Sequence, residues 1–279
     1  MKVDIRKIVT DKIIEGLEKG KIPWQKPWSE GMACNHVTRK AYRGLNQLIL
    51  SFVAEDKGWI NRWITFKAIN ENGWTIKKGE SPQYIAFYKW IEKEDGDGKI
   101  ETFPMLRYYK VWSISQLVEC EKIEVPEEKE FIPLEKAETI ISEMPNPPAF
   151  SFGGDKAAYY PVKDKITMPL KEFFVSPDSY YSTIFHEMAH STGHEKRLNR
   201  IGIANYDRFG SEKYSIEELI AELTASFLCA ESKIDSTISN STAYIASWLT
   251  VLKDNRQMIL TASAEAQKAS DYILGITWD

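Results

Sequence analysis

The alternation of apolar and polar positions divides the chain into a helix-then-strand first half and a strand-then-helix second half. Ile5, Ile8, Val9, Ile13 and Leu17 recur at the helical period, so residues 4–19 are expected to form an amphipathic helix closed by Gly20. Pro23 and Pro27 exclude a continuous helix through the next segment. A second helix is expected from Gly44 to about Ala54, and a short one near Thr65–Asn72. Then β-rich runs take over, residues 82–92 and 103–114. They are joined by a polar turn whose Asp95–Gly96 and Asp97–Gly98 pairs favour a hairpin. Residues 120–133 are acidic and carry Pro126 and Pro133, the composition of a linker.

Beyond it the pattern predicts a helix around Leu134–Met144 and two short strands, residues 157–162 and 165–170, joined at Lys163–Asp164. Long helices are expected over Ser179–Thr192, Ser215–Ser232 and Ser241 to about Ala269. The class is therefore α+β with two domains. We place a first domain at residues 1–120, a linker at 121–133 and a second domain at 134–279.

Charge sharpens this division. Residues 1–115 carry 20 Lys/Arg against 14 Asp/Glu, whereas residues 116–279 carry 16 against 26. Seven of nine tryptophans also fall in the first part. A basic, aromatic half beside an acidic half implies different partners for the two. Trp24, Lys26, Trp28, Arg39, Lys40, Tyr42, Arg43, Lys77 and Lys78 interleave cations with rings, as do Arg107, Tyr108, Tyr109 and Lys110. Single-stranded nucleic acid takes such a mixture, because cations follow phosphates while rings stack on bases. Trp63, Trp90 and Trp112 lie in apolar surroundings and are expected in the core. Cys34, Cys120 and Cys229 are far apart, the pattern of reduced thiols in a cytoplasmic protein. No apolar run reaches the roughly 18 residues of a membrane span, so no membrane partner is expected.

Three of the four histidines stand within nine residues, in TIFHEMAHSTGH. His186 and His190 are i and i+4 on one expected helix face and can reach one ion together. Two imidazoles suit Zn²⁺, although another divalent metal would also fit. Glu187, about 100° around the helix, is placed to take a proton from water that the metal makes acidic. A purely structural ion would have no use for that base. Tyr181, Ile184, Phe185, Met188 and Ala189 make the segment a buried helix, where histidines without partners would be costly. The third ligand is sought in YSIEELIAEL. Glu218 and Glu222 share a face beside the apolar stripe Ile216, Leu219, Ile220, Leu223 and Phe227. Glu218 is expected to ligate, with Glu222 holding a histidine N–H from behind. Glu217 would replace Glu218 if the helix were rotated, and Ser215 with Glu218 also reads as a capping box. His194 follows Gly193, where the helix is expected to end. It stands two residues short of position 196, where the longer H-E-x-x-H-x-x-G-x-x-H pattern needs its histidine.

Several segments in order resemble one family. VTDKIIEGLEKGKIPWQKPW, TRKAYRGLN, WITFKAI, IKKGE and LRYYKVW are similar to the N-terminal domain of ArdC-type antirestriction proteins. YYPVKDKITMP, FHEMAHSTGHEKRLNR and YSIEELIAEL resemble the zincin-like domain that follows in that family. The resemblance extends to about residue 275. It implies a protein of a plasmid, conjugative element or phage that protects incoming DNA from restriction. It further implies a first domain that binds single-stranded DNA and a second with a metallopeptidase-like fold. Carried over by position, the metal site is His186, His190 and a glutamate of EELIAE. A competing expectation is a zinc endopeptidase acting on a host protein, with the first domain recognising the target.

Overall fold

The computed structural model describes residues 5–19, 22, 32–94, 100–119, 133–153, 156–200, 212–234, 248–250, 252–255 and 257–277. The segment holding Trp24, Lys26 and Trp28, and the linker residues 120–132, lie outside this set.

In the first half, α1 (Ile5–Glu18) and α2 (Gly44–Lys57) pack on a four-stranded sheet. Its strands are β1 (Cys34–Asn35), β2 (Arg62–Thr65), β3 (Gln83–Glu94) and β4 (Ile100–Ser113), in the order β1-β2-β4-β3. A short helix, α3 (Phe66–Glu71), starts where the Thr65 side chain accepts from the Ala68 amide at 3.3 Å. At the end of α2, Gly58 adopts φ 62°, a left-handed stop that a side chain would strain. β3 and β4 pair from Gln83↔Val111 out to Glu94↔Ile100, whereas β2 meets β4 only at Val111, Trp112 and Ser113. Most of the ribbon therefore projects beyond the sheet.

The second half begins with α4 (Pro133–Glu143), followed by β5 (Ala149–Phe152), β6 (Ala158–Tyr160) and β7 (Lys165–Met168). They form a mixed sheet ordered β5-β7-β6. The helices α5 (Pro177–Thr192), α6 (Glu212–Ser232) and α7 (Met258–Ile273) pack together against it. Ser176 opens α5 as an N-cap, its hydroxyl accepting from the Ser179 amide, with Pro177 in the first turn.

The predicted elements differ from these in three places. β5 was not expected, because AFSF follows three prolines and lacks strand-like alternation; pairing with β7 supplies its ladder. β1 and β2 are too short for periodicity to register. The expected helix from Ser241 to about Ala269 is interrupted at Asn255, and α7 begins at Met258. The Asn255 side chain accepts from the Gln257 amide at 3.1 Å, a local bond that competes with the helical ladder.

The two halves share one core. Ile13, Leu17, Leu48, Leu50 and Val53 of the first half pack with Leu219, Ile220, Leu223 and Phe227 of α6 and with Ile259, Ala262 and Ala266 of α7. Polar contacts cross the same boundary. Arg43 pairs with Asp271, and Gln267 accepts from the Gly44 amide at 2.7 Å. That bond caps α2 from another domain, since Arg43 at its N-cap offers no side-chain acceptor. At about 1.5–3 kcal/mol for each large apolar side chain buried, the face of α6 turned away from the histidines contributes to both halves. Trp63 (0% exposed) is core as expected, and Trp112 is 7% exposed.

Candidate metal centre

His186 and His190 lie one turn apart on α5, which is packed against α6. α6 is buried almost all round from Glu217 to Ala230, so acids there persist only with partners. His186, His190 and Glu218 bring one ligand atom each to within 4.8 Å of one another. The Nε2 atoms of the two histidines are 3.1 Å apart, and each lies 3.5 Å from a Glu218 oxygen. Tetrahedral ligands at 2.0–2.1 Å from one ion stand about 3.3 Å apart, so the two nitrogens and the Glu218 carboxylate, one oxygen near each, fit a divalent metal. Two facing imidazole nitrogens beside a buried carboxylate are also the donor chemistry such an ion needs.

Electrostatics point the same way. Burial alone would lower the His186 pKa, yet the Glu218 bond and the charges of Glu222, Glu187 and Glu218 raise it to about 9. The pocket thus favours positive charge at His186, which a proton or a cation can supply. Glu187 is 9% exposed and stands one residue along α5 from this ligand.

Glu217, the rotated alternative, is engaged elsewhere. Its two oxygens accept from Arg200 Nη2 at 2.6 Å and Nε at 3.0 Å. Oε1 also lies 3.3 Å from His190 Nδ1. Burial opposes the charged form of Glu217, but Arg200 and the His190 bond outweigh it and hold the carboxyl below the usual range. Arg200 is fixed in turn by the Ala189 carbonyl and the Thr192 hydroxyl on α5. A proton on His190 Nδ1, donated to Glu217, leaves Nε2 free for the metal. Glu222 lies 3.8 Å from His186 Nδ1, on the expected side but beyond hydrogen-bond distance.

Arg200 is the residue that sequence reasoning missed. The available signal was that EELIAE holds three acids, one more than a ligand and one backing carboxylate require. Arg200→Lys keeps the charge but loses the planar fork. It is expected to weaken metal binding by roughly tenfold or more, measured by competition with a chelating dye.

His194 is held away from the ligands. α5 ends at Thr192, and the following turn is pinned by Arg197, which donates to the Ser191 carbonyl at 2.7 Å and pairs with Asp164. His194 Nδ1 accepts from the Lys196 amide at 3.2 Å.

Among the nucleic-acid candidates, Arg39, Lys40 and Lys78 are exposed. Tyr42 is 7% exposed and belongs to the core, so its ring offers no face to a base, contrary to the sequence expectation. Arg43 is committed to Asp271, and Lys77 Nζ donates to the Ser115 carbonyl at 2.8 Å.

Comparison with known proteins covers both halves. Residues 3–112 match the family described as the N-terminal domain of anti-restriction factor ArdC, and residues 135–265 match the zincin-like metallopeptidase family. The crystal structure of the antirestriction ArdC protein from plasmid R388, metal-free, superposes with a TM-score of 0.80 at 31% identity. That match covers 99% of this chain and 100% of the other. The Mn(II)-bound form of the R388 protein gives 0.77 at 32% identity, covering 98% of each. Two Escherichia coli proteins described as DNA primase TraC are each 32% identical over 98% and 95% of this chain. The chain spans only 20% and 26% of their lengths. An uncharacterized Sinorhizobium fredii protein, y4eC, is 30% identical over 97% of this chain and 91% of its own. No helix among the described residues is long and apolar enough to cross a membrane.

Proposed function

The chain belongs to the ArdC family of antirestriction proteins, and on that premise we propose that it binds incoming DNA as a single strand and carries a zinc-dependent peptidase-type centre. The observation that carries this reading is the pairing of an exposed basic, aromatic end of the first sheet with a complete buried donor set in the second half. A plasmid or other mobile element is the source this reading implies, in keeping with the plasmid origin of the R388 relative.

His186, His190 and Glu218 are the residues that would hold the ion. Two imidazoles and one carboxylate suit zinc, and the existence of an Mn(II)-bound form of the R388 protein supports a divalent cation in this family. When bound, zinc supplies Lewis acidity that brings the pKa of water to about 7. Glu187 then takes the proton of the attacking water and returns it to the leaving amine. Glu217, neutralised by Arg200, keeps His190 in the tautomer that binds metal. The substrate of such a centre would be a peptide or protein, and the alternative in which that cleavage is the primary activity is separated by a Glu187→Gln variant.

The test of the nucleic-acid part uses the full chain, because the first half shares its core with α6 and α7. A labelled single strand is expected to bind more tightly than duplex of the same sequence. The logarithm of affinity should fall with the logarithm of salt at about −0.7 per phosphate contacted. Equal affinity for both forms, or no salt dependence, would remove this part of the proposal.

A further inference from the structure

The long ribbon has one face that changes character along its length. Ile85 and Val111 at its root are buried against the helical layer. Phe87 and Tyr109, two residues further out on the same face, are 47% and 46% exposed. Their rings meet edge to face with centroids 5.8 Å apart. Arg107, directly across from Phe87 in the register, is exposed as well. The helical layer therefore stops short and leaves two rings and a guanidinium standing on a projecting ribbon. An exposed aromatic pair beside a cation is a liability for a free sheet edge unless it has a ligand.

The topology brings more positive charge to the same end of the sheet. β1 runs parallel to β2, and β2 antiparallel to β4, with Asn35 opposite Trp63 and Trp63 opposite Ser113. The chain leaving β1 at His36 thus heads in the direction in which the ribbon projects. It folds back in a tight loop whose ends are joined by the Asn35 amide and the Lys40 carbonyl at 2.9 Å. Arg39, at φ 61°, and Lys40 are exposed on that loop. With β2 between them, the loop lies about 10 Å to the side of the line of β4, and its root, level with Ser113, is roughly 13 Å nearer the base of the ribbon than Tyr109.

We propose that Phe87 and Tyr109 form the base-stacking platform for single-stranded nucleic acid, with Arg107 as the phosphate contact beside it and the Arg39–Lys40 loop as a further contact along the path of the strand. Rings and cations at one end of the sheet are complementary to a polyanion whose bases are unpaired. In a duplex the base faces are already stacked and cannot reach the rings. This rests on the single-strand part of the proposed function and names the site for it, on residues other than the Pro-rich segment around Trp24 and Trp28.

Fluorescence anisotropy of a labelled oligothymidine with the full chain tests the platform. Phe87→Ala and Tyr109→Ala are each expected to weaken binding roughly five- to a hundredfold. Phe87→Trp and Tyr109→Phe, which keep a stacking face, should bind as the unaltered chain does. Arg107→Gln should lower the salt slope by about 0.7. Both rings are exposed, so thermal unfolding should be unchanged in every variant. If the unaltered chain binds the strand and the Phe87→Ala, Tyr109→Ala double variant binds equally well, the platform is overturned while the single-strand reading stands. If the unaltered chain binds no single strand, both fall.

Discussion

Exchange of Glu187 for glutamine is expected to lower any peptidase activity of the chain by about 10²–10⁴-fold while the cation stays bound. The substitution removes the proton acceptor but leaves His186, His190 and Glu218, the three donors that meet around one point. Glutamine nearly matches glutamate in size, so α5, buried through Phe185, Met188 and Ala189, has no reason to repack. Single-strand affinity should hold within about a factor of two, since no phosphate contact is lost. The deciding measurement is protection of DNA from restriction in cells, run beside the binding assay on the same variant. Protection is expected to persist, because the basic, aromatic end of the sheet is untouched. Protection lost while DNA affinity holds would instead make cleavage of a host protein the mechanism and the first half its targeting device.

Replacing His190 by alanine is expected to take the metal content of the purified chain from about one ion to none, read by elemental analysis after dialysis. Glu218→Ala should weaken metal binding more than His194→Ala does. Glu218 offers oxygens 3.5 Å from both Nε2 atoms, whereas His194 lies beyond the helix end with its Nδ1 accepting from the Lys196 amide. If His194→Ala proves the more damaging, the ligand comes from the turn after α5 and the α6 assignment is wrong. Unchanged metal content in His190→Ala would remove the site altogether.

How far each feature could be read from the sequence follows from the range of the forces involved. α1, α2, α5 and α6 were legible because a helix that buries one face writes a period of 3.6 into its residues. The ribbon was legible from its β-rich runs and the Asp-Gly pairs between them. β5 was not, since its place depends on the β7 strand beside it rather than on its own residues. Asn255 breaks a long helical pattern with a single side-chain bond, a local event that periodicity averages away. Tyr42 looked like a loop ring because its neighbours Arg39, Lys40 and Arg43 are polar, yet packing from α2 and the sheet buries it.

The sequence by itself determined the pairing of His186 with His190 and the place of Glu187 next to them. Those relations are set by the geometry of one helix and need no tertiary information. It also determined the family, because motifs in a fixed order persist where single residues drift. Which of three acids on α6 meets the Nε2 atoms, and which lie behind the Nδ1 atoms, was decided only by how α6 docks. Its apolar face, Leu219, Ile220, Leu223 and Phe227, is claimed by a core shared with α1 and α2, and this fixes the rotation of the helix. With that rotation Glu218 meets both Nε2 atoms, while Glu217 meets Arg200, a residue far enough along the chain that no helical period links them. The same shared core decided that the two halves are joined by apolar packing, a property that resides in the contact between α2, α6 and α7 and in no single segment.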